Sequence, residues 1–551
     1  MFFRTLSRRD VSLLFLGVAV TYAWLYLFPA ATEITAHVNL HPVADHDSKP
    51  DPPKMLVDHR PPVKDPVTVV VPMTLTATMT KTLAAAATPT VDIQTTLPET
   101  TIVEHAPGWT LFRNLYMSNG TLFIVTSKRS SFPEVRMMTS TGLPADDNEL
   151  EREPRPENMD FLTPEEAKQR WGADPKRGEK RNRVWSVEGN TLLFNDPRQF
   201  LRHYYHFVAE LLFGTWAFWT GALRQPAAAD DAAFAFARSY APPPAIDRMI
   251  FAHSDADGWR DDPGFNAYFL RAALPSVAVE HEEDWRDRIA ATNPADPSEP
   301  HRAWHFPQVL LTDRSAAFRG SACGSRNQRT ASEAWEYMVK MRKLPGERIG
   351  GWWEPMRQAM WQFAGASIDP ALAPGAQQVL SGQAPTLALP MPETVVITYI
   401  SRQGVRRRKL VQEDHEGLVV ALKELVDRKG KGWELQILQA EGMTKDQQVR
   451  AVSRSTIMLG VHGNGLTHLV LMPPTRVSAV IEMFYPGGFA HDYQWTTGAL
   501  GMKHFGVWND THFSEPNNPD VAYPEGFQEN YIPVHGPTVA KLIEDRVEGR
   551  L

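Results

Sequence analysis

The pattern of apolar and polar positions changes character several times along the chain. Val11 to Phe28 is one uncharged apolar run, VSLLFLGVAVTYAWLYLF. As a helix it would span about 27 Å at ~1.5 Å per residue, close to the hydrocarbon thickness of a bilayer. It has no polar face, which argues against a buried helix of a globular core. Arg4, Arg8 and Arg9 precede the run and Glu33 follows it, so the positive-inside rule keeps the amino terminus cytoplasmic. Tyr22, Trp24 and Tyr26 lie toward the far end, where interfacial aromatics belong. A cleaved signal peptide would have a shorter apolar region and a small-x-small site, and Pro29-Ala30-Ala31 makes a poor one. The run predicts a signal anchor at 11–28 behind a cytoplasmic tail at 1–10. Periodicity then vanishes from 29 to 105. Proline recurs and Thr68 to Thr101 is rich in threonine, so the segment has little apolar surface to offset chain entropy. This is the composition of an O-glycosylated stalk, and equally of a plain disordered linker.

Beyond 105 short apolar runs and amphipathic stretches alternate. In the first part, 106–365, strands are predicted at 121–126, 190–194, 248–252 and 307–311. Phe200, Tyr204, Phe207, Leu211 and Trp216 recur near the helical period and predict one helix over 199–221. Helices follow at 331–343 and 354–365. An Ala/Pro-rich stretch at 225–245 predicts a helix and then a loop. Charged, proline-bearing stretches at 140–182 and 281–303 read as surface insertions. An Ala/Pro/Gly-rich segment at 366–392 reads as an interdomain linker. The second part, 393–551, is more regular. Strands at 395–401, 434–439, 456–461, 478–484 and 503–508 alternate with helical sequence at 413–429 and 444–454, a short helix after 465 and another ending near 500. That alternation predicts βαβ units on a parallel sheet, with ligands at the carboxyl ends of the strands.

Composition narrows the class. Hydrophobic residues at 43% and charged residues at 22% exclude a wholly disordered chain and a polytopic membrane protein. A net charge of −7 argues against a dedicated nucleic-acid binder. The single cysteine, Cys323, excludes an intrachain disulfide and any cysteine-based zinc or iron–sulfur site, and leaves pairing between chains open. Two glycosylation sequons begin at Asn119 and Asn509, and both would be luminal in this topology.

Candidate chemistry gathers at predicted strand ends. His462, Gly463, Asn464 and Gly465 follow a strand, and two glycines there would let backbone amides and the His462 ring approach a phosphate. The spacing is neither a dinucleotide fingerprint nor a Walker loop, and a tight turn with a packed histidine accounts for it equally. Arg402, Arg406, Arg407, Arg408 and Lys409 crowd one loop of an acidic chain, as a diphosphate site or as a solvated basic loop. His206 and Glu210 share a helix face at i, i+4, as base and orienter or as a surface pair. Glu482 near a strand's end is placed to hold ribose hydroxyls or to close a salt bridge. Asp255-Ala256-Asp257 is a short acidic pair of the kind that holds a divalent ion against a diphosphate, though such pairs are common in loops.

Together these pieces resemble glycosyltransferase family 61. The resemblance is carried by His206, Phe207 and Glu210, by Ser401, Arg402, Arg408 and Glu413, by the segment Gly460-Val461-His462-Gly463-Asn464-Gly465-Leu466-Thr467-His468, and by the strand with Glu482. It covers roughly 185–510. Asn464 and His468 depart from the family's usual small residue and asparagine, and Glu210 stands where many members have aspartate. The resemblance implies a GT-B-like fold of two Rossmann-type domains, inversion at the anomeric carbon, a UDP-sugar donor and no metal held by Asp255 and Asp257. It implies Glu210 as base with His206 beside it; Arg402, Arg408, His462, Gly463, Asn464 and Gly465 on the diphosphate; and Glu482 on the ribose. The expected partners are the donor, a glycan or glycoprotein acceptor, and the Golgi or endoplasmic reticulum membrane. The alternative is an inactive carbohydrate-binding protein on the same fold. A luminal hydrolase lacks a nucleophile elbow or a clear carboxylate pair.

Overall fold

The computed structural model describes residues 92–223, 243–294, 296, 298–344, 350–366, 389–528 and 531–551. The anchor at 11–28, the stalk up to 91, most of 225–245 and most of the 366–392 linker lie outside them. Among the described residues no helix is long and apolar enough to cross a membrane.

The first sheet holds β1 (Thr101–Ala106), β2 (Trp109–Ser118), β3 (Thr121–Val125), β4 (Met159–Leu162), β5 (Val184–Ser186), β6 (Asn190–Pro197), β7 (Arg248–His253), β8 (Ala278–Glu280) and β9 (Ala303–Thr312). Its order is β4-β3-β2-β9-β6-β7-β8, with β1 on β2 and β5 on β9. β9, β6, β7 and β8 run parallel, but β2 is antiparallel to both β3 and β9. The expectation of two Rossmann-type sheets is therefore corrected here, because the first sheet is mixed. The stalk boundary at 105 is corrected as well. β1 pairs along β2, and Ile93 is buried in the same cluster as Trp171, so ordered chain begins by Asp92. The stretch 140–182 is not all insertion. It carries β4 and the helix Pro164–Trp171, whose Thr163–Glu166 capping box satisfies two free amides and whose Trp171 stacks on Tyr116. Likewise 281–303 carries the helix Glu282–Thr292. Turn chemistry explains both sequons: Asn119-Gly120 and Asn509-Asp510 are exposed two-residue hairpin tips.

The helix expected over 199–221 is in three pieces: Arg198–Leu201, a π-helical segment α1 (Tyr205–Leu212), and Phe213–Ala222. The apolar period runs on through the join, so periodicity alone hides it. Tertiary partners fix the wider turn. The Tyr205 amide donates to Asn464 Oδ1, and Glu210 is held from outside the helix by Arg314. Next in this half come α2 (Phe265–Ala273) and the helices Ala331–Lys340 and Glu354–Phe363.

The second sheet holds β10 (Val395–Ile400), β11 (Trp433–Leu438), β12 (Ile457–Val461), β13 (Ala479–Met483), β14 (Lys503–Trp508) and β15 (Thr511–Phe513). The order is β11-β10-β12-β13-β14-β15, parallel except for β15. β10, β12 and β13 are buried throughout, as central strands covered on both faces must be. Crossovers are α3 (Gln412–Lys429), α4 (Lys445–Val452), the 3-10 helix α5 (Asn464–Leu471) and α6 (Asp492–Ala499), with α7 (Gly536–Val547) packed beside α3. Strand order reverses between β10 and β12, which makes the loops after these two strands the walls of the ligand crevice.

One hydrophobic cluster runs from the first sheet into the second, through Phe213, Trp352, Trp353, Trp361, Leu466, Val470 and Trp495. The Trp353 indole donates to the Val470 carbonyl and the Trp361 indole to the Leu471 carbonyl, each at 2.9 Å. Those carbonyls lie at the end of α5, where a helix has no internal donors left. The two sheets thus share a core instead of forming separate domains.

Candidate active site

The crevice at the strand-order reversal holds a cavity of about 180 Å³. It is lined by His203, Tyr205 and His206 from the first half and by Arg408, His462, Gly463, Asn464, Asp492, Tyr493, Tyr523 and Gln528 from the second. Arg402 closes it. A Cβ on Gly463 would lie 3.1 Å from Arg402 Nη1 and 3.5 Å from Arg408 Nη1. Gly463 has φ +151°, a conformation side chains resist, so the residue is glycine for both space and backbone.

Both arginines are partly buried, while Arg406 and Arg407 point to solvent. Arg402 Nη2 donates to the Arg407 carbonyl and its Nε has no partner; Arg408 donates to Gln528 and to the His462 carbonyl. Among the described residues neither forms an ion pair. Burial and mutual repulsion lower the pKa of Arg402, and burial lowers that of Arg408. Arg408 is also a non-glycine residue at φ +57°, a backbone cost of roughly 1–2 kcal/mol that its surroundings must sustain. Two guanidinium groups without an ion-pair partner among the described residues converge on a glycine, an arrangement able to receive a doubly charged anion.

Opposite them stands His206. Its Nδ1 bonds Glu210 Oε2, and no described residue meets its Nε2. Glu210 was expected to be the base, but it lies buried behind His206. Only 1% of its side chain is exposed, against 28% for His206, and Arg314 Nη1 donates to the same oxygen at 2.8 Å. Arg314 in turn is shared with Asp196, and Arg329 lies 3.8 Å from Glu210 Oε1. Burial alone would raise the Glu210 pKa, but Arg314, His206 and Arg329 outweigh it and hold the carboxyl well below its usual range. An ionised Glu210 accepts the Nδ1 proton and leaves a lone pair on Nε2. Burial pulls the His206 pKa below its ordinary value despite Glu210, so the ring is neutral and ready to accept.

His462 carries the opposite polarity. Its Nδ1 lies 2.5 Å from Glu482 Oε1, and His504 Nε2 lies 2.8 Å from Glu482 Oε2. Burial pushes the Glu482 carboxyl well up, and burial with Arg408 and Arg329 pushes His462 well down. In its protonated form, which burial favours, Glu482 would donate to His462 Nδ1 and accept from His504. The remaining proton of His462 then sits on Nε2, beside the cavity. Glu482 was expected to hold ribose; here it is fully buried with both oxygens engaged by histidines.

Other expected residues have structural positions. Asn464 Oδ1 accepts from the Tyr205 amide and Thr467 Oγ1, joining the two halves. Gly465 packs against Ile400. His468 is a core histidine between Tyr204 and Gln448. Asp255 caps a turn through the amides of Asp257 and Gly258 and pairs with Arg198. Among the described residues no group of three or more His, Cys, Asp or Glu side chains is placed to hold a metal ion. Cys323 is fully buried, which removes it from pairing between chains. Sequence reasoning missed Arg314, Arg329 and Asp492. Arg314 follows the carboxyl end of β9, the same position that drew attention in the second half, and could have been found. Arg329 and Asp492 are loop and helix-start residues joined across the halves by an ion pair, with no local signal.

With this geometry in place, comparison with known proteins is informative. The family model described as Glycosyltransferase 61 matches residues 204–480, half of the chain, and takes in His206, Glu210, Arg402, Arg408 and His462 to Gly465. The chain belongs to glycosyltransferase family 61, whose members in general move sugar from a nucleotide-sugar donor to a glycan acceptor. No curated protein matches it.

Proposed function

We propose that this protein is an inverting, metal-independent transferase that takes its sugar from a UDP-sugar. Its acceptor is a glycan or glycoprotein of the secretory pathway, and its fold is a GT-B variant with a shared core. The observation that carries the reading is the unpaired Arg402–Arg408 couple facing Gly463, with His206 across the same cavity. The donor's diphosphate lies against the two guanidinium groups, and His462 Nε2–H donates to it. The acceptor hydroxyl attacks the anomeric carbon from the far side. The bond to the diphosphate breaks, the electron pair leaves with the phosphate oxygen, and the hydroxyl proton passes to His206 Nε2. Charge stabilisation on the leaving group and proton removal on the nucleophile thus come from opposite walls. The anchor at 11–28 supports a type II membrane protein of the Golgi or endoplasmic reticulum with its body in the lumen. The exposed hairpin positions of Asn119 and Asn509 suit glycosylation there.

Thermal unfolding of the full-length protein against UDP, UDP-GlcNAc, UDP-xylose and UDP-arabinose tests the reading. UDP and one sugar donor should raise the midpoint, as ligand at 100 times its Kd stabilises by about 2.7 kcal/mol. Arg402→Ala should lose that shift and all transfer without lowering the ligand-free midpoint. A well-folded protein that responds to none of these compounds would instead be a carbohydrate-binding relative.

A further inference from the structure

Displacing Glu482 from the ribose leaves the nucleoside end of the donor without a site, and the fold offers another. A second cavity, about 610 Å³, lies between α2 and the segment joining β11 to α4. Its volume is in the range of small-molecule sites. Phe265, Tyr268 and Met443 form an apolar wall, and Tyr268 Oη donates to Asp446 Oδ1 at 2.5 Å across its floor. At its rim is Glu441, exposed, with no hydrogen bond or ion pair among the described residues.

Topology gives Glu441 its meaning. In doubly wound sheets the phosphate sits at the loop after the first strand, and an acidic residue just past the second strand takes the ribose hydroxyls. Here the first strand is β10, and its loop carries Arg402 and Arg408. The second is β11, which ends at Leu438, and Glu441 follows three residues on. The two loops touch, since a side chain at Gly404 would collide with Glu441 Oε1. One loop therefore presents arginine to the first cavity and abuts the carboxylate of the second.

We propose that Glu441 binds the ribose hydroxyls of the donor and that the Phe265–Tyr268–Met443 wall receives its base. This rests on the nucleotide-sugar reading above and adds the nucleoside subsite to it. Calorimetric titration of the full-length protein with UDP, 2′-deoxy-UDP and inorganic diphosphate separates the two. The unaltered protein should prefer UDP to 2′-deoxy-UDP by about tenfold, the worth of one charge-assisted hydrogen bond. Glu441→Gln should weaken UDP by a similar factor, erase that preference and leave inorganic diphosphate unchanged. Met443→Trp, which fills the cavity, should lose UDP and keep diphosphate. Glu441→Gln binding UDP as tightly as the unaltered protein, or losing diphosphate equally, overturns the proposal. Failure of the unaltered protein to bind UDP at all overturns the parent reading instead.

Discussion

His206 and His462 look into one cavity, and each rests its Nδ1 on a buried glutamate, yet the two carboxyls are pushed in opposite directions. The difference lies in what surrounds each carboxyl. Arg314 and Arg329 beside Glu210 hold its pKa down; burial pushes that of Glu482 up, against a smaller effect of Arg408. Environments that push two like groups apart assign acid and base roles. His206→Ala should then lower kcat by about 10²–10⁴-fold, the usual worth of a positioned base, with little change in UDP affinity. Glu210→Gln should act differently. It removes an interaction that raises the His206 pKa and leaves Arg314 and Arg329, which lower it. The acid limb of the kcat/KM profile should move to lower pH while the rate at neutral pH falls. An unmoved limb would mean His206 is not the titrating base. Gly463→Ala should abolish UDP binding, because its Cβ would take the space between the two guanidinium groups and strain a backbone at φ +151°. At this scale the sequence pointed to five of the eleven residues lining the cavity, His206, Arg408, His462, Gly463 and Asn464, but not to their roles. Nothing local says that Glu210 and Glu482 are buried, since both follow from packing of distant elements.

At the scale of elements, what was legible is what short-range pattern controls. The alternation of β10 to β14 with their helices stood out because the central strands β10, β12 and β13 are largely apolar runs between polar helix starts. The π-helical turn of α1 was not, since its apolar positions continue those of the helix after it. The π turn places Tyr205 and His206 at the rim while the Tyr205 amide reaches Asn464 on the other sheet, so one element both forms the wall and joins the halves. The join is completed by tryptophans. Trp361→Phe strips the donor from the Leu471 carbonyl at the end of α5 and leaves the space of the lost pyrrole ring in the core. An unsatisfied buried carbonyl costs about 1–3 kcal/mol, so the urea midpoint should fall accordingly. Because α5 begins at the Gly463 turn, UDP affinity is the second readout. A stability loss with unchanged affinity would show that the tryptophan seam supports the fold without tuning the site.

For the whole molecule, the two halves were legible as α/β sequence, but their shared core was not, because its members come from strands, helices and turns far apart in sequence, none of which signals the others. The mixed first sheet escaped for a similar reason: strand direction is set by long connections, which no local pattern reports. Burial on this scale has a consequence for acid stability. His305, His462, His468 and His504 are all buried. Desolvation lowers each, His305 and His468 to about 4 and His504 to about 3. In the unfolded chain they titrate near ~6.5. Between these values the unfolded state binds more protons, so stability is full above about pH 6.5 and is lost as pH falls toward 4. Asp196, raised to about 6, and Glu482, raised by burial, act in the reverse sense, since the folded state holds their protons first. The histidines outnumber these two carboxyls, so the net slope should follow the histidines. The urea midpoint of the full-length protein should fall steadily from pH 7 to 5. His468→Gln, which removes the titrating group but can still bond Gln448, should flatten that fall relative to its own value at pH 7. A flat profile in the unaltered protein would mean that the buried carboxyls cancel the histidines, and that acid sensitivity begins only where Glu210 takes up its proton.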